Sequence, residues 1–288
     1  MTEPSSSARL RRRLSRQTTF LVGAGILGLI LAVALLAPLL APHDPYAQNL
    51  SQRLIPPVWD SNGGWAHPLG TDQLGRDYLS RLIYGSRISL LIGFSIMITS
   101  GIIGTFLGIV AGYFGGRIDL IINFVVTTRL AMPVILVALT VAALAGSSVR
   151  NVILVLSLLL WDRFAVVTRS ATLQVRALDY VAAAEAVGCS TLRIVAGEIL
   201  PNVLNAIIVI GTIEMANGIL LAAALSFLGL GVPPPLPDWG AMIADGKQYM
   251  FFSAWVITIP GVALFTLVLG INLLGDGIRD LTAQENRT

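Results

Sequence analysis

Six apolar runs of roughly bilayer length constrain this chain more than any other feature. They occupy 19–41, 88–111, 118–145, 151–168, 203–228 and 253–274. At a rise of 1.5 Å per residue, about 20 apolar residues cross a hydrocarbon core. A segment in lipid must also satisfy its own backbone, which open sheets and loops fail to do. The runs therefore predict helices, and the expected fold class is an all-α membrane protein with about six transmembrane helices. The fourth run is interrupted by Asp162 and Arg163. Only 12% of the chain is charged, against about 25% in a typical soluble domain. A single cysteine, Cys189, rules out a disulfide framework and a multi-cysteine metal site, and reads as a small loop residue.

The stretch "RLRRRLSR" (9–16) before the first run looks like the start of a secretory signal, but a signal's apolar region is shorter than 19–41. It reads instead as a basic tail on a retained first helix. Arginine bias sets the expected orientation. With the N-terminus inside, thirteen basic residues lie on or near the cytoplasmic side: Arg9, Arg11, Arg12, Arg13, Arg16, Arg117, Arg129, Arg163, Arg169, Arg176, Arg193, Arg279 and Arg287. Arg53, Arg76, Arg81, Arg87, Arg150 and Lys247 remain outside. Both termini are thus expected in the cytoplasm, with 42–86 and the Pro-rich turn 232–252 external. The division is a tail (1–18), a first helix with its external loop (19–86), a helical core (87–276) and a C-terminal tail (277–288). This placement accounts for the net charge of +3 without a nucleic-acid face. No internal repeat is discernible.

Between the fourth and fifth runs lies "YVAAAEAVGCSTLRIVAGEILPN" (180–202), polar where its neighbours are apolar. Leu178, Val181, Ala184 and Val187 fall at helical spacing, and Gly188 suits a left-handed helix end. Ser190 is placed to cap a second short helix, and Pro201 fits the first turn of the next span. The expectation is a compact helix–turn–helix knob. One reading leaves it lying on the membrane interface; the other makes it a docking element for a soluble partner.

This segment resembles the "EAA" loop of permease subunits of ATP-binding-cassette importers, with Ala183, Gly188, Leu200 and Pro201 on the pattern. Ala182 stands where that family usually has Glu, and Glu198 where it has Ile. "HPLGTDQLGRDYLSRLIYGSRISLLIG" (67–93), "LSFLGLGVPPPLPDWGAMIADG" (225–246) and "NLLGDGIRD" (272–280) are similar to segments of C-type permeases of dipeptide and oligopeptide importers, the DppC and OppC type. The resemblance implies a MetI-like importer permease fold in the bacterial cytoplasmic (inner) membrane. It implies as partners a B-type permease, two cytoplasmic ATPases and an extracytoplasmic peptide-binding protein, with a peptide as substrate. ATP and Mg would be bound by the ATPases, and no cofactor by this chain. The ATPase-coupling loop would span about 170–201, with Tyr180, Ala183, Glu185, Gly188, Ser190, Arg193, Leu200 and Pro201 as its contact and turn residues. Nickel and glutathione permeases share the type, so the solute stays open.

In "GTDQLGRD", Asp72 and Asp77 are placed to cap helices or pair with Arg76 and Arg81. Either the loop satisfies itself, or Asp72, Arg76 and Asp77, with Asp238 and Trp239 of the Pro-rich turn, touch the binding protein. Trp239 also suits an interfacial anchor, and the prolines at 233–235 forbid helix there. Within the spans stand Arg129, Asp162, Arg163, Glu214 and Asn217. Mid-membrane charges usually face a bundle interior or water, so these hold helices together or line a solute path. At the position where the family commonly carries a Glu, this chain has Ala222.

Enzyme classes find no support. Gly246-Lys247 lacks the upstream glycine and following hydroxyl of a phosphate loop. The two histidines, His43 and His67, are both external and not at metal-ligand spacing, so no metal site is expected. No nucleophile–base set presents itself. An ion-coupled secondary carrier is the competing class, but the paired repeats of such carriers are missing. A membrane scaffold leaves the knob unexplained.

Overall fold

The computed structural model describes residues 6–285, and side chains for 18–281; the arginines of the basic tail and Arg287 lie outside the described side chains. Among the described residues the only extended pairing is an isolated bridge between Thr71 and Asp77. Everything else regular is helical. Five helices are long and apolar enough to cross a membrane, or six if one bent pair is counted as a span.

Helix α1 (Ser6–Leu35) is followed by the single turn α2 (Ala37–Leu40) and a long irregular segment. Helix α3 (Tyr78–Phe114) runs for 37 residues. A Cβ placed on Gly104 would lie 2.2 Å from the Trp161 carbonyl oxygen, and one on Gly108 2.7 Å from that of Ala165. With Gly112 they form a small-residue face at four-residue spacing. Such a face lets two helix backbones close together where lipid offers no hydrophobic drive.

The run 118–145 was expected to be one straight span, and the structure corrects this. It forms α4 (Gly116–Leu130) and α5 (Val134–Ala145), bent by 86° at the break. Pro133 sits at that break with extended backbone (ψ 109°). Proline has no N–H, clashes with the carbonyl four residues back, and disfavours helix in the residue before it. The fourth span is longer than expected, 28 residues from Val149 to Arg176. It comprises α6 (Val149–Ser157) and α7 (Trp161–Arg176). Its interruption falls just ahead of Asp162, which takes a place in the first turn of α7 where a carboxylate suits the helix dipole.

Helix α8 (Asp179–Ala186) and the turn α9 (Thr191–Ile194) build the knob. A π-helical turn, Val195–Ile199, carries α9 directly into α10 (Leu200–Phe227), making one helical path of 37 residues. Helix α10 ends at Phe227, one residue before the expected end of the fifth run. Gly229 takes φ +81°, its N–H bonds to Ser226 O, and Leu230 N–H bonds back to Leu225 O at 2.9 Å. That is the paired Schellman closure of a helix end, and it precedes Pro233. Then come α11 (Trp239–Gly246) and α12 (Trp255–Glu285).

Helices α1 and α12 pack antiparallel: Gly23 faces Leu274, and Gly277 faces Phe20. The N-terminal part of α1 and the C-terminal part of α12 therefore lie toward the end of the bundle where α9 runs into α10. The opposite end carries 42–77 and α11, joined where Tyr78 Oη donates to Val256 O at 2.5 Å and Trp239 Nε1 donates to Leu82 O at 2.9 Å. We call these the knob end and the loop end.

Candidate functional site

At the knob end, five buried apolar side chains form a nucleus: Tyr113, Val181, Ile194, Ile199 and Val203. Val181 is the one residue of α8 that is fully buried. Ala184 packs beside it half-buried, and the other α8 residues are exposed. Gly188 has φ +84°, Gly188 N–H bonds to Glu185 O at 3.0 Å, and Cys189 N–H bonds to Ala184 O at 3.1 Å. This closes α8 by a second Schellman motif. Ser190 occupies the N-cap position of α9, yet its side chain caps nothing. Pro201 falls in the first turn of α10 as expected. Tyr113 Oη donates to Glu185 at 3.2 Å and Asn202 Nδ2 donates to Tyr180 Oη at 3.1 Å, tying α8 to α3 and α10.

What the knob leaves outside is apolar. Val187 is 84% exposed and Leu192 78% exposed, with Leu178 and Tyr180 also open. Ala183, Gly188, Ser190 and Arg193 are exposed around them, while Leu200 is partly buried. Four large apolar groups are thus held on a rigid turn with nothing covering them, the arrangement of a docking surface.

Midway along the bundle, residues far apart in sequence meet. Arg163 Nη1 lies 3.1 Å from Glu214 Oε1, and Asn217 Nδ2 donates to the same oxygen at 3.2 Å. Arg129 Nη1 is 3.9 Å from Asp162 Oδ2, and its other guanidinium nitrogen donates to Leu159 O. Arg129, Asp162, Arg163 and Asn217 line one cavity of about 360 Å³, walled otherwise by Leu130, Met132, Leu159, Leu160 and Leu220. The ion pairs join α4, α7 and α10, and Arg129, Asp162 and Arg163 stand on the cavity wall. Glu214 itself is fully buried, and its Oε2 has no hydrogen-bond partner.

The loop end corrects the expected partner contacts. Asp72, Arg76, Asp77, Asp238 and Trp239 are all buried, none more than 4% exposed. Asp72 accepts from Arg76 Nε at 2.6 Å, lies 3.3 Å from Arg81 Nε, and accepts the backbone N–H groups of Leu74 and Arg76. Asp77 caps α3. Asp238 caps α11 and accepts from Ser89 at 2.9 Å and Ser226 at 3.2 Å; burial pushes its carboxyl above the usual range. Trp239 packs on Gly85 inside the protein rather than anchoring at a membrane interface. These groups therefore shape the surface from within. Beside them, the turn after α10 and the α11 region frame a cavity of about 600 Å³ that also includes Gln73 and Arg81.

Some functional geometry had no signal in the sequence reading. Arg169 binds Asp119 through two bonds, at 2.5 and 2.6 Å, locking α7 to α4. The glycines at 104, 108 and 112 were legible as a small-residue repeat.

Against this geometry, comparisons with known proteins are consistent. Residues 104–287 match the family of the binding-protein-dependent transport system inner membrane component, and residues 5–57 match the N-terminal TM domain of oligopeptide transport permease C. The chain belongs to the first of these families. Among relatives of this transport component, the dipeptide transport system permease protein DppC of Haemophilus influenzae is 40% identical over 260 residues, covering 90% of this chain and 88% of that one. The di/tripeptide permease DppC of Pseudomonas aeruginosa is 42% identical, covering 89% and 85%. The dipeptide permease DppC of Escherichia coli K12 is 43% identical, covering 90% and 86%. Of solved structures, a chain of the inward-facing MetNI methionine ABC transporter superposes with TM-score 0.59 at 20% identity, over 70% of this chain and 96% of that one. The transport component thus has the MetI-like permease fold and crosses the membrane several times.

Proposed function

We propose that this chain is one membrane-spanning subunit of an ATP-driven importer of di- or oligopeptides in the bacterial inner membrane. The relatives named above support the peptide substrate, and nickel or glutathione is the second reading that the resemblance leaves. The observation that carries the mechanism is the knob: an exposed apolar rim around a Schellman turn that closes α8, with the following turn α9 continuous with a membrane-crossing helix. A push on Leu192 or Val187 would be transmitted through α9 and the π-turn into α10, which carries Asn217 on the polar cavity and Glu214 behind Arg163.

In this reading the knob end is cytoplasmic, with both termini, as the arginine bias favours. Two ATPase subunits bind ATP and Mg and seat the knob, a B-type permease completes the pathway, and a binding protein delivers peptide at the loop end. In this reading those partners hydrolyse the ATP, which agrees with the lack of a phosphate-loop motif in this sequence. Arg163 and Glu214 offer one charge of each sign beside a small cavity, which suits the termini of a zwitterionic peptide passing without tight retention.

The test is Leu192→Asp. The side chain is exposed, so insertion and folding should persist while ATPase copurification and ATP-dependent peptide uptake are lost. Full uptake by that variant would end the assignment.

A further inference from the structure

The two histidines of this chain, 24 positions apart and expected to serve no metal, meet at one carboxylate. His67 Nδ1 lies 2.8 Å from Asp77 Oδ1 and His43 Nδ1 lies 3.5 Å from the same oxygen. The imidazole centroids are 4.8 Å apart. One ligand atom from each of the three residues falls within 4.8 Å of the others. Since the chain contains two histidines in all, its whole complement of imidazole is gathered at this point.

The surroundings are organised for the purpose. Asp77 Oδ2 accepts from Ser80 N–H at 2.8 Å and Ser80 Oγ at 2.6 Å, which fixes the carboxylate and leaves Oδ1 facing the imidazoles. His43 N–H donates to Ser80 Oγ at 3.0 Å, pinning the backbone that carries the first ring. Ligands held by such outer partners bind metal with their geometry already set. Both nearby arginines, Arg76 and Arg81, are engaged by Asp72. Among the described residues no arginine or lysine pairs with Asp77, although its side chain is only 1% exposed. A buried carboxylate needs hydrogen bonds or a cation; Ser80 supplies the bonds at Oδ2, and at Oδ1 the neighbours are the two imidazoles, His67 within hydrogen-bonding distance at 2.8 Å.

We propose that His43, His67 and Asp77 form a binding site for a late first-row divalent cation, with Zn²⁺ as the probe. Two imidazole nitrogens and one carboxylate oxygen match that class rather than Ca²⁺ or Mg²⁺, which require oxygen ligands. With metal–ligand bonds of about 2.0–2.1 Å in a tetrahedron, ligand atoms stand about 3.4 Å apart. The separations of 2.8 and 3.5 Å bracket that value. His67 would take the tautomer with its proton on Nε2, so that Nδ1 offers its lone pair. His43 is 43% exposed and gives the ion access from solvent, with a fourth position left open. Because His43 lies near the start of the segment 42–77 and Asp77 ends it, the ion would clip the chain after α2 to the start of α3. This inference does not rest on the transport reading.

The experiment uses the full-length chain purified in detergent with its affinity tag removed. Competition against a chromophoric chelator should show one Zn²⁺ per chain, and Zn²⁺ but not Mg²⁺ should raise the thermal midpoint. His43→Ala should weaken Zn²⁺ binding at least tenfold, while His43→Cys, which supplies another ligand, should bind. The His43 side chain is 43% exposed and, among the described residues, touches only the other two members of the cluster, so that variant tests the site even if His67→Ala fails to fold. Absence of stoichiometric Zn²⁺, or equal affinity in wild type and His43→Ala, would overturn the proposal.

Discussion

The two ends of this protein solve opposite problems with similar materials. At the loop end every charged group in "GTDQLGRD" is turned inward and bonded, and the glycines are wedged against backbone. A Cβ on Gly75, at φ +71°, would sit 1.8 Å from Asn49 O. At the knob end a Cβ on Gly188, at φ +84°, meets nothing within 4 Å, and Val187 beside it is open. One glycine is demanded by packing and conformation together, the other by conformation alone. The lesson is that the loop end is built to keep its shape, whereas the knob is built to be covered by something else.

The largest effect should come from breaking the loop end. Asp72→Ala strands Arg76 and Arg81, both 3% exposed, without their carboxylate. Removing one partner of a buried ion pair costs about 3–5 kcal/mol. Folded yield in detergent, measured by size-exclusion and thermal midpoint, should collapse; a normal midpoint would show that the cluster is not holding this end.

Smaller, and different in kind, is Gly188→Val at the knob. A left-handed conformation costs an L-residue roughly 1–2 kcal/mol, with no clash in prospect because the space is open. The bundle should fold, but α8 should lose its closure, so ATP hydrolysis by the assembled transporter continues while uptake falls. Loss of folding equal to that of Asp72→Ala would erase the contrast between the ends.

Val187→Ser sharpens the same point. At 84% exposure it should change stability by no more than about 0.5 kcal/mol. Weaker retention of the ATPase on a pull-down from membranes is the expected result. Equal retention would move the docking surface elsewhere.

How much of this was legible follows the range of each interaction. Helices in lipid are dictated by local hydropathy, so the spans could be read directly. The 86° bend between α4 and α5 could also have been read, because Pro133 lies in plain view inside the run; the uninterrupted apolar sequence hid it. The Schellman closure at Gly188 was visible because it is local. Arg163 with Glu214, and His43 with Asp77, were not, since 51 and 34 residues separate the partners and only packing brings them together. Burial of Asp238 and Trp239 was hidden for the same reason: a polar turn between apolar runs looks exposed until its neighbours are placed.

Asp238 supplies the finest test of the loop end as a closed unit. Burial raises its carboxyl above the ordinary value, against the opposing help of Ser89, Ser226 and the N–H of Ala241. In the unfolded chain an Asp titrates near about 3.9. Between that value and its raised one in the fold, the folded state holds the proton more tightly. Stability contributed by the neutral form is therefore complete below the unfolded value and falls as pH rises toward the folded one. Asp238→Asn keeps an acceptor oxygen in the place of Oδ2 for Ser226 and the α11 cap, turns an NH2 toward the Ser89 hydroxyl in the place of Oδ1, and removes the titration. Its thermal midpoint should stay level across that window as the wild-type midpoint declines. Parallel curves would mean that Asp238 meets water after all, and that the loop end is more open than its buried charges imply.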